Sequence, residues 1–289
     1  MRLIIFIKQD YQNIYNPLSF FSFTMAVYSH SKLSTFEKCP LKYKYKYIDK
    51  KKADIEQTIE SHLGKVVHDT LELIYTQAQN QRVVTIEEII SYYSENWQKN
   101  YFEDILIVKE GLTEKDYFNM GVEFLVSYHN EHHPFKDGTI ECEKRIWINL
   151  DEAGEYKLIG FIDRLVYNFE TNEYEVHDYK TANSLPTQEK IDNDRQLALY
   201  AIAIKNLFGY DKEVVLVWHY LAHNKKIESR RTNEELEQLK EDTLNLIKDI
   251  ESTETFPHNK SILCNWCEFR PSCGAWKNER QKDLDIWGD

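Results

Sequence analysis

The chain has 289 residues, of which 42% are hydrophobic, with only 9 glycines and 6 prolines. That composition is typical of a large globular domain and excludes a low-complexity or largely disordered protein. The 36 basic and 48 acidic residues give a net charge of -12, which argues against a protein that passively coats nucleic acid.

The first part of the chain contains a short apolar run, residues 3–7, which cannot span a bilayer. It lacks the small-residue cleavage site of a signal peptide, so we expect a cytoplasmic protein with no membrane association. A coherent start for a helix follows directly after Met25. We therefore interpret residues 1–24 as an upstream extension before an alternative start, and residues 25–289 as a single domain.

The first predicted helix begins at a capping box, Ser34 to Glu37, and would carry Cys39 in its first turns. Residues 38–52 then hold seven lysines against the single Asp49, with tyrosines between them. A helix with a solvated lysine face is the interpretation that the residues alone favour. A DNA-binding segment is the alternative, because lysines neutralise phosphates and tyrosines stack on unpaired bases.

Three more helices are predicted in the first half of the chain. One runs from Gly64 to about Gln79, with apolar residues at helical spacing, and carries His68. The other two cover roughly 85–108 and 113–131. The first half is therefore predicted to be mostly helical.

The second half of the chain mixes strands with helices. Alternating apolar residues predict strands over 139–150, 156–167, 174–181, 213–221 and 225–231, and helices are predicted over 188–208 and 233–251. A turn between the second and third strands indicates a hairpin. This order predicts a mixed α/β fold with a central sheet.

Two carboxylates and a lysine converge on the predicted hairpin. Asp178 and Lys180 point to the same face of one strand because successive side chains alternate, and Asp163 lies on the neighbouring strand. Hard oxygen ligands hold Mg²⁺ or Mn²⁺, which polarises a phosphate and acidifies a bound water, while a lysine stabilises growing negative charge. The alternative is a surface Asp-Lys pair without chemistry.

Four of the five cysteines suit one metal centre split across the chain. Cys264, Cys267 and Cys273 lie close together in sequence, and the distant Cys39 is the best candidate for a fourth ligand. Spacing alone supports an iron-sulfur cluster and a structural zinc ion about equally. Disulfides are disfavoured because the chain is not a small secreted domain, and Cys142 is interpreted as a core residue.

Two motifs, Gly160–Asp163 and Asp178–Lys180, resemble the core of the PD-(D/E)XK nuclease superfamily and, more specifically, of its RecB-like branch. The resemblance implies a restriction-endonuclease-like core, in which helices flank a central mixed sheet. It also implies a helical insertion at about 80–135.

The resemblance further implies an Mg or Mn site with a substrate contact beside it. The metal ligands would be His68, Asp163, Asp178 and the backbone carbonyl of Tyr179. Lys180 would assist the attacking water. Gln196 and Tyr200 match a Gln-x-x-x-Tyr motif expected to contact the substrate, and their i, i+4 spacing puts both on one helix face.

The cysteines take a second meaning from the same resemblance. Several RecB-like nucleases, among them AddB-type recombination nucleases and CRISPR-associated adaptation nucleases, hold a 4Fe-4S cluster with one early cysteine and a late Cys-x2-Cys-x5-Cys. The pattern here favours such a cluster over zinc, as an iron-sulfur clasp that joins the N- and C-terminal parts. Its ligands would be Cys39, Cys264, Cys267 and Cys273. Lys42, Tyr43 and Lys46, beside this clasp, would contact DNA.

We therefore expect a metal-dependent DNA nuclease, a single-strand or end-acting exonuclease of DNA repair and recombination or of CRISPR adaptation. The chain has no Gly-x4-Gly-Lys-Ser/Thr phosphate loop, so unwinding would come from a helicase partner. One alternative is a catalytically silent DNA-binding scaffold subunit of a helicase-nuclease or adaptation complex. Another is a nuclease stabilised by zinc instead of iron.

Overall fold

The computed structural model describes residues 27–276, so the expected start at Met25 and the extension over 1–24 lie outside the described residues. The strands are β1 (Val27–Tyr28), β2 (Thr139–Asn149), β3 (Lys157–Asn168), β4 (Glu173–Lys180), β5 (Val214–Tyr220) and β6 (Lys225–Arg230). The α-helices are α1 (His30–Lys38), α2 (Pro40–Tyr43), α3 (Ile59–Gln79), α4 (Ile86–Asn100), α5 (Glu114–His132), α6 (Gln188–Asp192), α7 (Arg195–Phe208) and α8 (Asn233–Ser252). A π-helix (Lys44–Ile48) and three 3₁₀ turns (Leu221–His223, Ile262–Trp266 and Arg270–Ser272) complete the described elements.

The strands form one mixed sheet in the order β1-β3-β4-β5-β6, and β2 pairs with β3. Neighbours β2, β3 and β4 are antiparallel, β4 and β5 are parallel, and β5 and β6 are antiparallel. Helices flank this sheet. The predicted α/β arrangement with a central mixed sheet is therefore confirmed.

Two apolar clusters hold the helices against the sheet. The first joins α7 to buried strand residues that include Leu158, Ile162 and Leu216. The second packs α3, α4 and α5 together and reaches the sheet at Tyr179. Because Tyr179 also adjoins Lys180 in the sequence, the second cluster positions the end of β4 on which the predicted chemistry depends.

The first helix begins earlier than the capping box at Ser34 predicts. Its N-cap is Ser29, whose side chain accepts a hydrogen bond from the backbone N–H of Lys32 at 3.2 Å. Cys39 lies between α1 and α2 in extended backbone, with φ -161° and ψ 101°. Pro40 explains this, because a proline disfavours helical backbone in the residue before it. The expectation that Cys39 lies in the first turns of a helix is wrong.

Two other predicted helices differ in extent from the structure. The helix predicted over 188–208 is divided into α6 and α7, because Asp194 caps α7 by accepting a hydrogen bond from the backbone N–H of Leu197 at 3.1 Å. The helix predicted over 85–108 ends at Asn100. Within residues 27–276 no helix combines the length and the apolar character that crossing a membrane requires.

Candidate active site

The predicted chemistry lies where β3 and β4 stop pairing. The two strands pair from Asn168 and Glu173 up to Arg164 and His177. Just past this point, the backbone N–H of Tyr179 donates a hydrogen bond of 2.9 Å to the carboxylate of Asp163. The carboxylate thus replaces a backbone acceptor at the end of the ladder, which fixes its position against β4.

His68 reaches the same place from α3. The buried residues Val67 and Leu71 anchor this part of the helix in the second apolar cluster. The Nε2 atom of His68 lies 2.8 Å from the carbonyl oxygen of Tyr179, and its Nδ1 atom lies 3.4 Å from Oδ2 of Asp163. Three of the predicted metal ligands, His68, Asp163 and the Tyr179 carbonyl, are therefore brought together.

Glu143 joins this group, and the sequence analysis missed it. One donor atom each from His68, Glu143 and Asp163 lie within 4.8 Å of one another. Glu143 lies on β2 opposite Asp163, between the paired positions Cys142–Arg164 and Lys144–Ile162. Its φ of 47° is left-handed backbone, which a non-glycine residue seldom adopts within a strand. The register of the β2–β3 hairpin is the signal that could have indicated this residue.

Asp178 lies beside Lys180 at the end of β4. Its Oδ2 atom forms an ion pair of 2.6 Å with Nζ of Lys180, as expected for two side chains on one strand face. Among the described residues, the group of closely spaced donor atoms does not include Asp178. Asp163 thus lies beside His68 and Asp178 beside Lys180, and the negative charge of Asp178 acts on Asp163. The role of Asp178 as a metal ligand stays a prediction.

The Gln-x-x-x-Tyr motif lies next to this ion pair, on the first turns of α7. Nζ of Lys180 lies 3.4 Å from Oε1 of Gln196, and Nε2 of Gln196 donates to the hydroxyl of Tyr200 at 3.4 Å. The Tyr200 ring lies against Gly160, where an added Cβ would come within 2.4 Å of the ring. Gly160 of the first motif is therefore required for the close approach of α7 to β3.

The electrostatics of the site favour a cation. Burial, followed by the negative charge of Asp178, raises the pKa of Asp163 to about 7, although His68 opposes this shift. Burial also raises the pKa of the Glu143 carboxyl. For Lys180, burial acts against the charged form, but Asp178 outweighs it and raises the pKa of the amine. The carboxylates near His68 thus lack sufficient compensating charge, and a divalent ion would supply it.

A buried arginine supports the site from behind. Arg164 donates a 2.8 Å hydrogen bond from Nε to the hydroxyl of Tyr179 and one of 2.9 Å to Nδ1 of His177. Its guanidinium lies 3.9 Å from the centroid of the Tyr75 ring and forms an ion pair with Asp137. These contacts hold the Tyr179 side chain, and with it the carbonyl that faces His68.

One cavity is lined by all four cysteines of the predicted clasp: Cys39, Cys264, Cys267 and Cys273. The two ends of the described chain meet there, since Nδ2 of Asn259 donates to the carbonyl of Lys38 at 3.1 Å and the N–H of Leu41 donates to the carbonyl of Pro257 at 3.1 Å. Four thiols around one cavity are a set of soft donors that suits an iron-sulfur cluster or zinc. Cys142 is elsewhere, packed against the second apolar cluster.

Three predicted DNA contacts of the lysine-tyrosine segment also make contacts within the protein. Lys42 and Lys46 form ion pairs of 2.5 and 3.4 Å with Glu268. Tyr43 is buried, and its ring is stacked parallel to that of Phe256 at 6.4 Å between centroids. Its predicted contact with DNA is therefore corrected, because a side chain in the core cannot stack on a base. Lys42 and Lys46 join the segment to the C-terminal turns, and their contact with DNA stays a prediction.

The similarity of this chain to a known protein family covers every residue of the candidate site. A search of curated proteins found no match. Among solved structures, one described as "Crystal structure of SSO0001" has 15% sequence identity and a TM-score of 0.37, and the match covers 74% of this chain and 84% of that chain. The family model of the PD-(D/E)XK nuclease superfamily matches residues 27–274. The chain belongs to the PD-(D/E)XK nuclease superfamily.

Proposed function

We propose that this protein is a DNA nuclease that hydrolyses phosphodiester bonds with Mg²⁺ or Mn²⁺ and acts as an exonuclease on single strands or ends. The observation that carries the proposal is the convergence of His68, Glu143 and Asp163, with donor atoms within 4.8 Å of one another, in a chain of the PD-(D/E)XK nuclease superfamily. A nitrogen and two carboxylates suit a hard divalent cation in the presence of water and phosphate oxygens.

The ion would be held by His68, Asp163, Glu143 and the carbonyl of Tyr179. When bound, it would polarise the phosphate and lower the pKa of a coordinated water. Lys180 remains protonated because Asp178 raises its pKa, so it acts as a hydrogen-bond donor. Its role is to orient the attacking water or to stabilise negative charge that develops on the phosphate.

Asp178, Gln196 and Tyr200 hold Lys180 in place. Asp178 is buried and contributes the ion pair, and Gln196 accepts from the amine while it donates to Tyr200. In this arrangement Asp178 acts first on the lysine. A direct bond from Asp178 to the metal would use its other carboxylate oxygen, since the ion pair occupies Oδ2.

A cleavage assay on end-labelled DNA tests the proposal. Wild-type protein should degrade single strands or frayed ends with Mg²⁺ or Mn²⁺ and be inactive in EDTA, and Asp163→Asn and Lys180→Ala should abolish cleavage. Asp211→Asn, at a carboxylate whose side chain is 75% exposed, is a matched control and should be fully active. Undiminished cleavage by both site variants would overturn the assignment. DNA binding without metal-stimulated cleavage by the wild type would instead support the scaffold alternative.

We further propose that the four cysteines hold a 4Fe-4S cluster, as in the RecB-like branch. The support is that the four thiols line one cavity, together with the family resemblance, which favours a cluster over zinc. Anaerobic purification should give a brown protein with iron and sulfide. A colourless protein with bound zinc would contradict this. A role in repair, recombination or CRISPR adaptation, with a helicase or adaptation proteins as partners, rests on the family resemblance.

A further inference from the structure

An aromatic surface lies exposed on the β2–β3 hairpin. Trp147 on β2 and Phe161 on β3 are 46% and 48% exposed, while their neighbours Ile146, Ile148 and Ile162 are buried. The hairpin therefore packs one face on the core and presents large aromatic rings on the other. Two such rings on one hairpin face form an exposed apolar patch.

This surface adjoins the candidate metal site in the strand register. Phe161 precedes Asp163 by two residues on β3, and its partner on β2, Arg145, follows Glu143 by two residues. Two residues of a strand span about 7 Å. A molecule bound at both places would therefore contact the aromatic rings with one group. A second group, about 7 Å away, would reach the metal-site carboxylates.

Arg145 gives the surface its charge. The guanidinium carbon lies 4.9 Å from the centroid of the Trp147 ring, a cation–π contact. Within residues 27–276 no carboxylate is near enough to form an ion pair with Arg145, in contrast to Lys42 and Lys46, which both pair with Glu268. Its charge is thus available for a phosphate, next to rings that offer flat apolar faces.

We propose that Trp147, Phe161 and Arg145 form a stacking surface for the unpaired bases of single-stranded DNA, next to the phosphate that is cleaved. The rings would stack on successive bases and Arg145 would bind the backbone, a combination typical of sequence-tolerant single-strand binding. A duplex would gain little here, because its base faces are already covered by their neighbours. The inference deepens the proposed function, since it names the substrate form that the same site takes.

The test measures binding without cleavage. A fluorescent oligothymidine is titrated with protein in EDTA, and its anisotropy gives the affinity. We expect Phe161→Ala and Trp147→Ala each to bind about tenfold more weakly, the size of effect that loss of one stacked base produces. Phe161→Tyr, which keeps the ring, should bind like the wild type. Phe169→Ala is the matched control, since Phe169 is 76% exposed outside the surface.

An abasic substrate separates stacking from damage to the fold. Removal of the bases near the cleaved phosphate should weaken binding by the wild type at least tenfold and leave the affinity of the Trp147→Ala/Phe161→Ala double variant unchanged. Equal losses for both proteins would overturn the proposal, as would undiminished single-strand binding by the alanine variants. Undiminished single-strand binding is the result expected if the surface instead binds a protein partner.

The inference and the proposed function can fail separately. A wild type that binds single strands through these rings but never cleaves them with Mg²⁺ or Mn²⁺ refutes the nuclease and keeps the stacking surface. Cleavage by the wild type, with no loss of affinity in the alanine variants, keeps the nuclease and refutes the stacking surface.

Discussion

Asp163→Asn is expected to stabilise the metal-free protein at alkaline pH while it abolishes cleavage. Burial and Asp178 raise the pKa of this carboxyl to about 7 in the folded protein, from an ordinary value of 3.8. The folded state therefore binds the proton more tightly than the unfolded state does. The free energy of unfolding is unaffected by this carboxyl below about pH 4, falls between about pH 4 and 7, and levels off above pH 7. Asparagine stays neutral throughout and keeps an oxygen that can accept the Tyr179 N–H.

The size of the effect follows from the pKa difference. A shift of about three units corresponds to about 4 kcal/mol at 1.36 kcal/mol per unit, as an upper limit for complete ionisation. We expect the variant to exceed the wild type by about 2–4 kcal/mol in free energy of unfolding at pH 8, and the difference to shrink towards zero near pH 4.

Urea denaturation followed by circular dichroism, at several pH values in EDTA, measures this difference. Asp211→Asn is the control, because interaction with Lys212 lowers the pKa of Asp211 and its replacement should not stabilise. A less stable Asp163→Asn variant at pH 8, or a gain that is constant between pH 5 and 8, would contradict a raised pKa of Asp163. Added Mg²⁺ should stabilise the wild type and not the variant, because only a ligand of the folded state shifts the equilibrium.

Two other substitutions test the neighbouring residues. Glu143→Gly should raise the free energy of unfolding by about 1 kcal/mol, because glycine accepts the left-handed backbone at φ 47°, and should increase the Mg²⁺ concentration needed for half-maximal cleavage. An unchanged Mg²⁺ dependence would remove Glu143 from the metal site. Tyr179→Phe should lower the free energy of unfolding by about 1–3 kcal/mol, since Arg164 loses a buried acceptor, while cleavage at saturating metal persists through the backbone carbonyl. Urea denaturation with no loss of stability would contradict this.

Local pattern was sufficient to predict much of the site. Strand alternation predicts the Asp178–Lys180 pair, and the hairpin predicts that Asp163 lies near β4. Glu143 could not be found in this way, because its position depends on the β2 register and on one left-handed residue. Tyr43 could not be placed either, because its lysine neighbours suggest an exposed helix, and the ring that buries it, Phe256, is far away in sequence.

The meeting of the chain ends has a consequence for biosynthesis. Lys38 and its partner Asn259 are separated by 221 residues, which a ribosome adds in about 10–45 s at 5–20 residues per second. During that time the tyrosines and lysines after α1 have no C-terminal turns to pack against. Cys39 likewise lacks the other three cysteines that line its cavity. The N-terminal helices therefore complete their packing only after the residues around Asn259 have been made. A truncated chain that lacks the C-terminal turns should leave the first helices, which are made much earlier, without the surface that they pack against.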